Sequence, residues 1–217
     1  NSMGEFEEGL SSAEKSLAID PQNSVAWNNK ATALTYLGDG EKALQAYNEA
    51  LRIDPNNSAA WSNKGNLLSS MGKYKEALSA YNRSLELNPR QPGIWAMKAS
   101  SFAMLKQFDE AIAAAEYELQ INPLSSMALI VKGDALTGQK KYSDAAAVYK
   151  EALKIDPSLA TTWFRLGYSL HNTKDYDGAV SAYRKALELQ PDYSDAWIFL
   201  VSALINSGRE NEAIHYY

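Results

Sequence analysis

The sequence predicts an all-α protein, a solenoid of stacked antiparallel helix pairs that repeats every 34 residues. Three observations carry this. Pro21, Pro55, Pro89, Pro123, Pro157 and Pro191 follow one another at steps of 34, and only Pro92 falls outside the series. Every tryptophan sits in one column of the same step, Trp27, Trp61, Trp95, Trp163 and Trp197, with Leu129 in the gap. Between prolines, apolar residues recur at spacings of three and four in two runs, which is the signature of two amphipathic helices.

The elements follow in order along the chain. Ser2-Met3-Gly4-Glu5-Phe6 is in phase with Ser70-Met71-Gly72-Lys73-Tyr74. The opening residues therefore read as the tail of a first helix, followed by a second helix from Phe6 to Ile19. First helices begin near Ser24, Ser58, Ser126 and Ser194, whose hydroxyls can accept a first-turn amide. In repeat one, Trp27, Ala31 and Leu34 share a stripe, a break follows at Gly38-Asp39-Gly40, and a second helix carries Ala43, Leu44, Tyr47, Ala50, Leu51 and Ile53. It ends at Asp54-Pro55, because a residue before proline is pushed out of helical geometry. A single array over 1–217 results, with full repeats at 24–57, 58–91, 92–125, 126–159 and 160–193, and partial ones at 1–23 and 194–217. The last partial repeat ends with Tyr217 in the tyrosine column. With no polar capping helix at either end, the sequence reads as a segment of a longer protein, and its terminal helices are candidates for self-association.

Small residues let the helix axes approach closely. Four positions after the tryptophan column come Ala31, Gly65, Ala99, Gly133, Gly167 and Val201, and sixteen after it Ala43, Ala77, Ala111, Ala145, Ala179 and Ala213. Tyr47, Tyr81, Tyr149 and Tyr183 fill the remaining space. The third and fourth repeats meet irregularly: Ala115 replaces the tyrosine, Glu118 a small residue and Leu129 the tryptophan. A glutamate at that packing position needs a partner or a route for water, and Phe102 is placed to fill the volume that Ala115 leaves.

Composition excludes several classes. The formal charge of -5 argues against nucleic acid, which calls for a basic face. No apolar run approaches the ~18–20 residues that span a bilayer. The absence of cysteine excludes disulfides, thiolate metal sites and cysteine nucleophiles, and fits a cytoplasmic setting. His171 and His215 stand alone, without carboxylates at metal-ligand spacing, and no phosphate-binding loop is present. No catalytic residue, metal or cofactor is expected.

Trp61, Gly65, Leu68, Tyr74, Ala77, Tyr81 and Pro89 at a step of 34 closely resemble the tetratricopeptide repeat. The resemblance implies a right-handed superhelix whose concave face, lined by first helices, grips an extended peptide. Pentatricopeptide repeats, which bind RNA, differ in period and in their basic grooves. Carried onto this chain, the groove positions are Val25, Asn28, Asn29 and Thr32, then Ala59, Ser62, Asn63 and Asn66, then Ala96, Met97 and Ser100. They continue with Met127, Ile130, Val131 and Asp134, then Phe164, Arg165 and Tyr168, and end at Asp195, Ile198, Phe199 and Ser202.

From these, the candidate peptide-binding residues are Asn28, Asn29, Thr32, Asn63, Asn66, Met97, Ser100, Val131, Asp134, Phe164, Arg165 and Tyr168. Asn29 and Asn63 resemble two rungs of the asparagine ladder in the repeat domain of O-GlcNAc transferase, and an amide can pair with any peptide backbone. The ladder breaks at Met97, Val131, Arg165 and Phe199, where an apolar strip is expected instead. Met97 and Phe164 are assigned to the ligand, Ile130 and Ile198 to packing between helices. The carboxylate clamp of chaperone co-factors in this family needs a lysine that this sequence lacks. Lys30, Lys64, Lys98 and Lys132 form either a basic track or a column of stems lying on apolar surface. The function expected is a protein or peptide scaffold. Its alternatives are end-to-end assembly and the substrate-selecting arm of an enzyme.

Overall fold

The computed structural model describes residues 2–216. Among them are thirteen α-helices, one short 3-10 turn and no strand. The helices are α1 (Ser2–Ile19), α2 (Ser24–Tyr36), α3 (Gly40–Ile53), α4 (Ser58–Ser70), α5 (Tyr74–Leu87), α6 (Ile94–Met104) and α7 (Phe108–Ile121). They continue as α8 (Ser126–Gly138), α9 (Tyr142–Ile155), α10 (Ala160–Asn172), α11 (Tyr176–Leu189), α12 (Ser194–Asn206) and α13 (Glu210–Ala213). Packing divides them into two compact units, one ending at Ser101 and the other beginning at Phe102, within α6.

The caps differ from the sequence reading. The serines expected to cap stand one residue inside the helix. Asn23 accepts from the Ala26 amide at 3.0 Å, Asn57 from Ala60 at 3.0 Å and Ser125 from Ala128 at 3.3 Å. The reason is geometric: a cap residue lies in extended backbone (φ −76°, ψ 96° at Asn23) and reaches the amide three residues on. At α12 the cap position is Tyr193, which makes no side-chain cap bond. The third repeat starts differently again, α6 beginning at Ile94 after Gly93 at φ 82°.

The turn inside each pair uses a left-handed residue. Gly38, Gly72 and Gly208 occupy it at φ 83°, 74° and 74°, whereas Lys106, Lys140 and Lys174 hold the same position at φ 59°, 62° and 64°. The following amide then reaches back five residues, as Lys141 N does to the Leu136 carbonyl at 2.9 Å. Gly4 is in phase with these residues but makes no turn: α1 runs unbroken from Ser2 to Ile19, correcting the expected break before Phe6. Elsewhere the turn is closed by a second helix folding onto its first; α1 packs chiefly on α2. The final second helix is one α turn, Glu210–Ala213, followed by the 3-10 turn Ile214–Tyr216. Tyr217, assigned to the tyrosine column, lies outside the described residues.

The proline and tryptophan columns are physically joined. The indole N–H of Trp27, Trp61, Trp95, Trp163 and Trp197 donates to the carbonyl of Pro21, Pro55, Pro89, Pro157 and Pro191 at 2.9–3.0 Å. Each indole thus fixes the loop entering its own first helix. Leu129 has no such donor and is buried instead.

Glycine opposite tyrosine sets the helix spacing. A Cβ on Gly65, Gly133 or Gly167 would stand 2.6, 2.5 or 2.6 Å from the ring of Tyr81, Tyr149 or Tyr183. All three rings are fully buried, as is Tyr47 opposite Ala31. Glu118 is fully buried too. In the first unit α1 to α5 pack in sequence, and α2 also touches α4. In the second, α7 to α13 do the same, with α8 against α10 and α10 against α12. First helices therefore form a shared face within each unit.

Candidate functional site

In the first unit the face is built on α2, α4 and the start of α6. Asn29 is exposed, and Asn28 and Asn63 are half-buried. Asn63 Nδ2 lies 3.5 Å from Asn28 Oδ1, a long bond that leaves both amides further capacity. Two other candidates serve the core. The Tyr81 hydroxyl donates to Asn66 Oδ1 at 2.8 Å, and the Tyr47 hydroxyl lies 3.2 Å from Thr32 Oγ1. Burial pushes the Tyr81 hydroxyl up to about 12 and Tyr47 upward as well, so both hold their protons. Met97 is half-buried against the cluster that contains Leu68 and Tyr81, and Ser100 is half-buried.

The lysine column lies over the tryptophans. Lys30, Lys64 and Lys98 hold their ammonium groups 5.5, 5.1 and 4.5 Å from the ring centres of Trp27, Trp61 and Trp95. Lys30 also pairs with Glu14 at 3.0 Å and Lys132 with Glu116 at 2.8 Å. Burial holds Lys64 and Lys98 below the usual ammonium range. Stems lying on apolar surface describe this column better than a free basic track.

In the second unit the face is built on α8, α10 and α12. Val131, assigned to the ligand surface, is only 7% exposed and offers it almost nothing. Ile198, assigned to packing, is 65% exposed, while Ile130 is half-buried. On α12 no later first helix among the described residues covers Ile198.

Phe164, Arg165 and Tyr168 from α10 meet Phe199 from α12 and Asp134 from α8 around a cleft of about 360 Å³, which Thr137 and Tyr149 also line. The Phe164 and Phe199 rings meet edge-on at 5.6 Å between centres, and Tyr168 meets Phe199 at 5.6 Å. Behind them Phe164 leans on Tyr193 at 4.9 Å and Tyr183 at 5.7 Å. At the polar end Asp134 Oδ1 accepts from the Tyr149 hydroxyl at 2.7 Å, and Arg165 Nε forms an ion pair with the same oxygen at 3.1 Å. Burial raises the Asp134 carboxyl despite those two partners. Burial likewise raises the Tyr149 hydroxyl, with the Asp134 charge adding to it.

Sequence reasoning missed Thr137 and Tyr149 as walls, and missed that Thr32, Asn66 and Asp134 hold tyrosine hydroxyls. A signal was present. Each of these polar residues precedes a column tyrosine by fifteen positions: 32 and 47, 66 and 81, 134 and 149.

Among the described residues no helix is long and apolar enough to cross a membrane, and no group of three His, Asp or Glu could hold a metal. A search of the curated proteins found no match to the chain. Among solved structures, the chain is similar to YrrB, a TPR protein with an unusual peptide-binding site, at 22% identity and TM-score 0.69, covering 85% of this chain and 95% of that one. It is similar to MamA from Desulfovibrio magneticus at 21% identity and TM-score 0.72, covering 78% and 96%. It also resembles Pseudomonas aeruginosa pilF at 16% identity and TM-score 0.77, covering 89% and 88%. These likenesses establish the fold class, an all-α solenoid of stacked helix pairs. Family models described as tetratricopeptide repeat match residues 24–57 and 58–91, and then 107–160, 130–194 and 164–217. With the 34-residue step, the paired helices and the matched models in agreement, the chain belongs to the tetratricopeptide repeat family.

Proposed function

We propose that this chain grips an extended peptide or partner segment along the faces of its first helices. The family supplies the coarser statement: such repeats are protein-interaction scaffolds and generally not catalysts. One observation carries the finer one. The contacts between first and second helices are tight enough to exclude a Cβ at Gly133 and Gly167, yet the first-helix face beside them opens into the cleft lined by Phe164, Tyr168 and Phe199. Apolar walls with a few polar groups are what a peptide side chain and its backbone need. The first unit adds Asn28, Asn29 and Asn63, whose amides have bonding capacity to spare. YrrB, with its peptide-binding site, shares the fold.

The test is a peptide array probed with the wild-type chain, with Asn29→Ala/Asn63→Ala/Met97→Ala, and with Phe164→Ala. Peptides bound by the wild type and lost in either variant support the reading. Peptides bound equally by all three, or none bound at all, overturn it. Self-association is then the next reading, with exposed Ile198, Ile205 and Ile214 as its surface; light scattering over a concentration series measures it.

A further inference from the structure

The cleft between α8, α10 and α12 has a chemistry more specific than its apolar walls. Asp134 and Arg165 line it at one end, and their side chains remain 35% and 40% exposed. Both described contacts of the carboxylate, from Tyr149 and from Arg165, fall on Oδ1. Oδ2 therefore stays open as an acceptor. The closest approach of the guanidinium to the carboxylate is through Nε, and among the described residues no hydrogen bond occupies either Nη group, so both can donate. The pair has no net charge, and this weighs against either a lone ammonium or a lone carboxylate as occupant. A cation would face Arg165; an anion would face Asp134.

A peptide unit carries one N–H and one C=O, the complement of an open acceptor beside an open donor. Phe164 and Tyr168 stand next to that pair, each edge-on to Phe199, and the cleft has a volume of about 360 Å³. We propose that this cleft is an anchor subsite for one apolar residue of a bound peptide. The side chain packs into the cleft against Phe164, Tyr168 and Phe199, its N–H donates to Asp134 Oδ2, and its C=O accepts from Arg165. The inference rests on the peptide-binding reading but concerns one residue of the ligand, and it can fail alone.

The smallest probe that carries these features is N-acetyl-phenylalanine N-methylamide, titrated into the whole 217-residue chain and followed by NMR. Saturable shifts confined to Phe164, Arg165, Tyr168 and Phe199 are expected. Arg165→Met keeps an apolar stem and removes the donor, and should weaken binding about 3–10-fold, the value of one hydrogen bond. Phe164→Ala should abolish it, and the glycine analogue of the probe should not bind. Arg165→Met folds without the ion pair, since Asp134 keeps Tyr149 as donor; its wild-type-like circular dichroism is the control.

Three outcomes overturn the proposal. They are the glycine probe binding as well as the phenylalanine one, Arg165→Met binding unchanged, and tetramethylammonium taking the cleft in place of the amide. If array peptides bind but the amide probe does not reach the cleft, the subsite fails and the peptide reading stands. If the probe binds there and no array peptide does, the peptide reading fails instead.

Discussion

Replacing Gly133 with alanine tests how the helix pairs are spaced. In an isolated helix the change would stabilise by about 1 kcal/mol, because glycine is a poor helix former. In this structure the new Cβ would stand 2.5 Å from Tyr149 Cε1 and 2.8 Å from Cδ1 and Cζ. No carbon pair tolerates that, so the ring must move. The ring is buried, and its hydroxyl is tied to Asp134 at 2.7 Å, with Thr137 at 3.3 Å. Overpacking costs about 1–3 kcal/mol and loosening a hydrogen bond to a carboxylate adds about 1 kcal/mol. After the helix gain, Gly133→Ala should destabilise by about 1–3 kcal/mol, lowering Tm by about 2–12 °C in a chain of this size. Circular dichroism melts and urea unfolding measure it. Ala31→Gly is the opposing control. Ala31 already faces Tyr47, whose hydroxyl sits a looser 3.2 Å from Thr32, so glycine there should also destabilise, by about 1 kcal/mol. If Gly133→Ala is as stable as wild type or more so, the idea that glycine sets the interhelix distance is wrong.

Other expectations follow from the same geometry. Lys140→Gly should stabilise by about 0.5–1 kcal/mol, since the left-handed position costs a side chain about 1–2 kcal/mol and glycine returns only part through unfolded-state entropy; a lower Tm would refute it. Trp163→Phe keeps a ring but loses the bond to the Pro157 carbonyl, and should destabilise by about 0.5–1.5 kcal/mol in urea unfolding, while the same change in the Leu129 column position is not available. Tyr81 titrates near 12 when folded and near 10 when unfolded, so its share of stability is whole below pH 10 and disappears as pH rises to about 12. The difference in tyrosinate absorbance between wild type and Tyr81→Phe should show that ionisation coinciding with loss of helix; ionisation of Tyr81 at pH 10 without unfolding would refute burial as the cause.

The repeat itself was legible because it is written in residue types with few substitutes. Proline ends a helix wherever it falls, and the columns Pro21 to Pro191 and Trp27 to Trp197 give both the period and the helix boundaries. The candidate surface was less legible. Helical phase correctly groups Asn29, Asn63, Phe164 and Arg165 on first helices, but it cannot say which of their neighbours a tyrosine from the next helix will claim. Thr32, Asn66 and Asp134 share that phase, yet all three meet tyrosine hydroxyls.

The sequence by itself determined the helix pairs, their period and their apolar stripes, since these depend on spacings of three, four and thirty-four that any reader of the chain can count. Tertiary structure decided what each column does. Only packing joins Trp61 to the Pro55 carbonyl, puts Lys64 over the same indole and presses Tyr149 against Gly133. Only packing buries Val131 while leaving Phe164 beside an open cleft, because exposure belongs to the neighbours a residue meets and not to its own place in the repeat.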